Sequence, residues 1–180
     1  NDGTVDKFIG DAIMAFWGAP RDDDAHAVKA VRAALEMKQA LAEFRGRQDG
    51  LDIRVGIGIN CGPMSVGNFG SNQRFDYTVM GDHVNLASRL EGANKNYGTS
   101  ILISEAVLDQ LPGDIYCRFI DKVQVKGRQE PVNLFEPLFE GPPPPGIKAQ
   151  ISLFELGVAA YQGQDFKRAA AIFDQLHDQY

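Results

Sequence analysis

The stretch Val5–Gly18, VDKFIGDAIMAFWG, constrains the fold more than any other. Two short, largely apolar runs meet at Gly10-Asp11. Runs rich in Phe, Ile, Met and Trp, bounded by turn residues, are expected as buried strands. A Gly-Asp pair between them fits the tight turn of a hairpin, where Gly supplies the positive φ that other residues resist. Asp11 then sits at a rigid tip between two core strands, with Lys7 at alternating spacing from Ile9. A carboxylate is costly to bury unpaired, so Asp11 is either a solvated turn residue or the ligand of a cation. The hairpin alone leaves both open.

The rest of the chain is ordinary in bulk and specific in pattern. Its 180 residues suffice for one domain with a real core and a small appendage. A net charge of -6 argues against a general nucleic-acid or membrane-surface binder. Cys61 and Cys117 have neither metal-ligand spacing nor a disulfide framework, so a reducing, cytoplasmic compartment is expected. No apolar run reaches the roughly 18 residues of a membrane span. The chain opens directly on a strand pattern, without an initiator Met or a signal peptide, and is expected to be a fragment of something longer. Anchoring of a parent protein through an upstream region stays open.

After Ala19-Pro20 and the acidic run Asp22, Asp23 and Asp24, a helix is expected to about Arg47, with Val28, Val31, Leu35, Leu41 and Phe44 at mostly helical spacing. Leu51 to Asn60 alternates as a strand, with Arg54, Gly56, Gly58 and Asn60 on one face. Small residues there let another backbone or a ligand come close. Cys61 to Gly70 should hold a turn and a short strand. Gln73 to Met80 reads as a further strand, with Phe75, Tyr77 and Val79 on one side and Asp76, Thr78 and Met80 on the other. Gly81-Asp82 opens a helix in which Asn85 and Arg89, at i and i+4, form a polar pair on one face. By helix geometry alone that pair is either functional or a solvated stripe. A short strand at Ile101 to Ile103, a helix from Ser104 to Leu111, and strands at Ile115 to Val125 and Val132 to Phe139 complete an α+β sheet with helices on one face. His26, His83 and His177 lack partner spacing for metal or general-base work.

The linker EGPPPPG, Glu140 to Gly146, is too proline-rich for a helix or a central strand. It divides residues 1–139 from a segment at 148–180, with 140–147 between them. Leu153, Leu156, Gly157, Ala160, Phe166, Ala169 and Phe173 match the spacing of one tetratricopeptide repeat, a helix-turn-helix unit, with an ordinary helical hairpin as the alternative. Such a unit needs neighbours to bury its faces.

Four stretches in order, DKFIGDAIMAFWGAP, IRVGIGINCGPMSVGNFG, DYTVMGDHVNLASRLE and VKG, together resemble the class III adenylate/guanylate cyclase catalytic domain over about Thr4 to Leu138. The resemblance implies a ferredoxin-like core, a head-to-tail homodimer and ATP bound at the subunit interface. It implies that Asp11 is a metal ligand for one of two Mg2+ or Mn2+ ions per site. It also implies that Lys7 reads the adenine ring, and that Thr78 holds the second base-reading position in the manner of a Thr-variant adenylate cyclase subgroup. Asn85 and Arg89 would orient the ribose and stabilise the transition state, and Arg54 and Lys126 would hold the polyphosphate. The expected reaction is attack of the ribose 3′-oxygen on the α-phosphorus, releasing pyrophosphate. The family's first metal-binding aspartate, with its strand and helix, has no counterpart in this sequence. Two other expectations therefore stand beside the enzyme: a degenerate cyclase domain acting as a nucleotide-sensing or dimerisation module, and a repeat scaffold whose C-terminal helices bind a protein partner.

Overall fold

The computed structural model describes residues 1–47, 53–71, 74–124 and 130–179. Strands β1 (Thr4–Ile9) and β2 (Ala12–Phe16) form the expected antiparallel hairpin. Helix α1 (His26–Arg47) follows, then β3 (Ile57–Ile59), β4 (Ser65–Ser71), β5 (Arg74–Met80) and helix α2 (Asp82–Tyr97). The chain continues through β6 (Ile101–Ser104), α3 (Glu105–Leu108), β7 (Ile115–Val123), β8 (Val132–Glu140), α4 (Ile147–Gln162) and α5 (Phe166–Gln179).

These strands fall into three hydrogen-bonded groups. One is a four-stranded sheet in the order β3-β6-β8-β7; the other two are the ribbons β1-β2 and β4-β5. In the four-stranded sheet β3 runs parallel to β6, and the remaining pairs are antiparallel. Of the strand expected from Leu51 to Asn60, Leu51 and Asp52 lie outside the described residues, and β3 begins only at Ile57, because its partner β6 begins at Ile101, which pairs with Ile57.

The helices do not share one face of the sheet, which corrects the expectation. Ala27, Val31 and Ala34 of α1 pack with Ile101, Ile103, Val107 and Ile115. Leu86 and Leu90 of α2 pack with Leu102, Ile120 and Leu134. Successive strand residues point to opposite faces, so Ile101 and Ile103 bury against one helix and Leu102 against the other. β6 is buried throughout, and a strand apolar at consecutive positions needs cover on both sides.

The two ribbons are much less covered than the runs that form them would suggest. Val5, Phe8, Ile9 and Ile13 of the hairpin are exposed, and so are Phe75, Tyr77 and Met80 of β5. A ribbon of two strands has no third strand or second layer to hide its apolar face. Side-chain contacts between the ribbons cover it in part, such as Phe16 against Tyr77, with ring centroids 6.1 Å apart.

At the far end, α4 lies along the edge strand β7. Glu155 accepts a hydrogen bond from the Phe119 amide at 3.4 Å, and the Arg118 guanidinium sits 4.3 Å from the centre of the Phe154 ring. Covering an edge in this way satisfies strand groups that would otherwise face outward. Arg118 also binds the buried Glu136 of β8 at 2.7 Å. Helices α4 and α5 pack on each other through Phe154 and Phe173. Among the described residues no helix is long and apolar enough to cross a membrane.

Candidate functional site

The residues singled out by their pattern lie on the two ribbons and on the outward side of α2. Gly10, with φ of 64°, makes the hairpin turn in the left-handed region that a residue with a Cβ resists. It leaves Asp11 exposed at the tip, and among the described residues no hydrogen bond or ion pair engages that carboxylate. An exposed, unengaged carboxylate is a hard oxygen donor and fits one position in the shell of a magnesium or manganese ion. It does not make a complete site: among the described residues no three His, Cys, Asp or Glu side chains group to hold a metal.

Lys7 and Thr78 are brought together by a residue the sequence reading passed over. Asp6 is enclosed, its side chain 1% exposed, and it uses its two oxygens separately. Oδ2 accepts a hydrogen bond from Thr78 Oγ1, and Oδ1 lies 3.4 Å from Lys7 Nζ. Thr78 is itself 6% exposed. The signal that could have found Asp6 is an acidic residue interrupting an apolar strand directly beside a lysine. A charge at such a place needs partners.

Helix α2 is held so that its polar pair must face outward. A Cβ on Gly58 would overlap the Ala87 carbonyl oxygen and the Glu91 amide, so only glycine lets the helix backbone settle this closely on β3. The small residues of this strand thus admit another backbone. The buried Asn94 donates from its amide to the Ile57 carbonyl at 3.1 Å and accepts from Thr99 Oγ1 at 2.8 Å. With Leu86 and Leu90 turned into the core, Asn85 and Arg89 are both exposed on the other side. Neither side chain has a hydrogen-bond or ion-pair partner among the described residues. At the far end of the helix, the Tyr97 hydroxyl donates to Asp121 at 2.8 Å, and burial, with Asp121 beside it, pushes the Tyr97 phenol up to about 12.

Arg54 is exposed just ahead of β3. Lys126 lies outside the described residues. The structure therefore joins Lys7 to Thr78 through Asp6 and sets Asn85 beside Arg89. No hydrogen bond or ion pair among the described residues ties Asp11 to either group.

Residues 5–135 match the model of the adenylate and guanylate cyclase catalytic domain. Over 163 residues the chain is 39% identical to adenylate cyclase 1 of Rhizobium meliloti (strain 1021), a match that covers 89% of this chain and 24% of that protein. The chain thus spans about a quarter of that relative's length. Among solved structures, the adenylyl cyclase CyaB of P. aeruginosa is similar with a TM-score of 0.63 and 36% identity, over 77% of this chain and 73% of that one. The guanylyl cyclase Cya2 is similar with a TM-score of 0.65 and 37% identity, over 78% of this chain and 72% of that one.

Proposed function

Because the chain belongs to the adenylate and guanylate cyclase catalytic domain family, we propose that it forms 3′,5′-cyclic AMP and pyrophosphate from ATP. The observation that carries the reading is the joining of Lys7 and Thr78, 71 positions apart in sequence, at one enclosed carboxylate. Lys7 reads the adenine ring and Thr78 occupies the second base-reading position, as in a Thr-variant adenylate cyclase. Similar identity to an adenylyl and to a guanylyl cyclase makes these base contacts the deciding feature of substrate choice.

In this reading the ribose 3′-oxygen bonds to the α-phosphorus as the bond from that phosphorus to the pyrophosphate oxygen breaks. Asn85 orients the ribose. Arg89, with its side chain unengaged on the exposed face of a clamped helix, meets the charge that develops on the phosphoryl oxygens, and preorganised donors of this kind contribute most in the transition state. Arg54 and Lys126 hold the polyphosphate. Asp11 is the residue that would hold a divalent ion, Mg2+ or Mn2+, with two ions per site. Such ions neutralise the phosphates and activate the attacking oxygen. Members of the family act as dimers, and a homodimer of this chain with ATP at the interface would cover the exposed apolar face of the hairpin.

The chain divides functionally into a catalytic part at 1–139, a linker at 140–147, whose first residue ends β8 and whose last opens α4, and a tetratricopeptide-like segment at 148–180. In the last of these, the exposed Leu156, Tyr161 and Phe166 offer a protein-interaction face. A second reading, a catalytically incomplete cyclase module used for regulation or dimerisation, is favoured by one observation: Asp11 has no companion ligands grouped with it among the described residues. The test is cyclic AMP formation from ATP with Mg2+ or Mn2+ by the full-length protein. Product confirms the enzyme. A folded protein that binds ATP and gives no product supports the second reading instead.

A further inference from the structure

Asp6 owes its position to a defect in the hairpin ladder. Val5 pairs with Ala15 and Lys7 pairs with Met14, so Asp6 has no residue opposite it. An extra residue in one strand is a β-bulge, which re-aims a side chain relative to its neighbours. Here the bulge accompanies a carboxylate that meets Thr78 on the other ribbon through one oxygen and Lys7 through the other.

The chemistry of the three groups then fixes a polarity. An ionised carboxylate only accepts; an ammonium only donates; a threonine hydroxyl has one proton to donate and two lone pairs that accept. Thr78 gives its one proton to Asp6, so what remains at Thr78 is acceptor capacity alone. Lys7 has protons to spare beyond the one facing Asp6. The pair therefore offers one donor and one acceptor in a set order. A 6-aminopurine presents the complement, an amine that donates and a ring N1 that accepts. A 6-oxopurine presents the inverse at both atoms, a carbonyl oxygen and an N1–H.

We propose that Asp6 is the positioning residue that sets purine specificity: by taking the Thr78 proton and holding Lys7, it makes the site accept a 6-aminopurine nucleoside triphosphate and reject a 6-oxopurine one. The inference rests on the reading above that Lys7 and Thr78 meet the base. It concerns which base is chosen and is independent of whether the chain turns it over.

The test compares ATP with inosine triphosphate, which differ only at this edge of the ring, on the full chain. Binding is measured by calorimetry, and kcat/KM wherever turnover is seen. Wild type should prefer ATP by about ten- to a hundredfold, as expected when the donor and acceptor of the base edge are both reversed against Lys7 and Thr78. In Asp6→Asn the new amide can donate to Thr78 Oγ1, freeing the threonine proton to face the base. ATP should then weaken and inosine triphosphate strengthen, bringing the ratio close to one. A fall of both nucleotides together would show that Asp6 only ties the ribbons, and would overturn the proposal. So would an unchanged ratio, or a wild type indifferent to the base. Thr78→Val should lose the same preference, and adding Asp6→Asn to it should change the ratio no further. If Asp6→Asn does not fold, Thr78→Val alone decides, since a retained preference there sinks the idea. Wild-type binding that favours ATP without any cyclic product would sink the enzyme reading and leave the assignment of Asp6 standing.

Discussion

The four-stranded sheet and the β1-β2 hairpin are built from similarly apolar sequence, yet they end in opposite conditions. Ile101, Leu102 and Ile103 of β6 are fully buried, while Phe8 of β1 is 71% exposed. The difference lies in the neighbours. β6 has strands on both edges and helices on both faces, whereas each hairpin strand pairs only with the other. The sheet carries the buried core, and the ribbons carry Lys7, Asp11 and Thr78, three of the groups proposed to meet the substrate or its metal. Apolar burial contributes roughly in proportion to area removed from water, so the ribbons contribute little on their own. Polar contacts help hold the hairpin and its flanking residues to their surroundings: Asp6 to Thr78, Trp17 Nε1 to the Asn1 carbonyl at 2.6 Å, and Lys29 to Asp2.

The largest test of this contrast is a pair of truncations. Leu102→Ala leaves a cavity in a fully covered strand and should destabilise the chain by about 4 kcal/mol in denaturant unfolding, while Phe8→Ala should stay within about 0.5 kcal/mol at low concentration. A large Phe8→Ala loss that grows with protein concentration would mean that a second copy covers the hairpin. Arg89→Ala probes the opposite case, an exposed group on a helix clamped to the sheet. Unfolding should be unchanged, while turnover should fall by about 10²- to 10³-fold with little change in the KM for ATP. Equal losses in binding and turnover would move Arg89 from the transition state to the ground state.

Gly58→Ala sharpens the same boundary, because it disturbs the clamp without touching a site residue. The added methyl collides with the α2 backbone, so stability should fall by about 2 kcal/mol and turnover should fall with it as Asn85 and Arg89 shift. Retained turnover would show that the helix can move without consequence.

The smallest effect is expected at acid pH. Hydrogen bonds from Lys29 hold the carboxyls of Asp2 and Asp23 below the ordinary value of 3.8, and raise Lys29 in turn. Because the folded values lie below the unfolded ones, the stabilisation is present above 3.8 and is lost as pH falls through the lowered values. Trp17, the single tryptophan and a neighbour of the N-terminal residues, should report loosening there by fluorescence. Lys29→Ala should return both carboxyls towards their ordinary range.

Much of the fold could be read directly from the chain. The hairpin around Gly10, the helices carrying Val31 and Leu86, and the strands of the sheet all follow from local periodicity and turn chemistry. Burial of Val5, Phe8, Ile9 and Ile13 was not legible, since an apolar run states a preference and only the neighbours decide whether it is met. The placement of helices on both faces of β6 was legible in principle, from the three consecutive apolar residues Ile101, Leu102 and Ile103.

The candidate site divides in the same way. Local sequence alone determined that Asn85 and Arg89 share a helix face and that Asp11 stands at a turn, because both depend on spacings of four residues or fewer. Which side of α2 faces out was a tertiary decision, made where Gly58 admits the helix backbone and Asn94 pins it to Ile57. The meeting of Lys7 and Thr78 on Asp6 was decided only by the fold, because it joins strands 71 positions apart through a side chain turned inward by one extra residue in a ladder. Periodicity describes a strand as regular, and Asp6 takes its place where the strand is not.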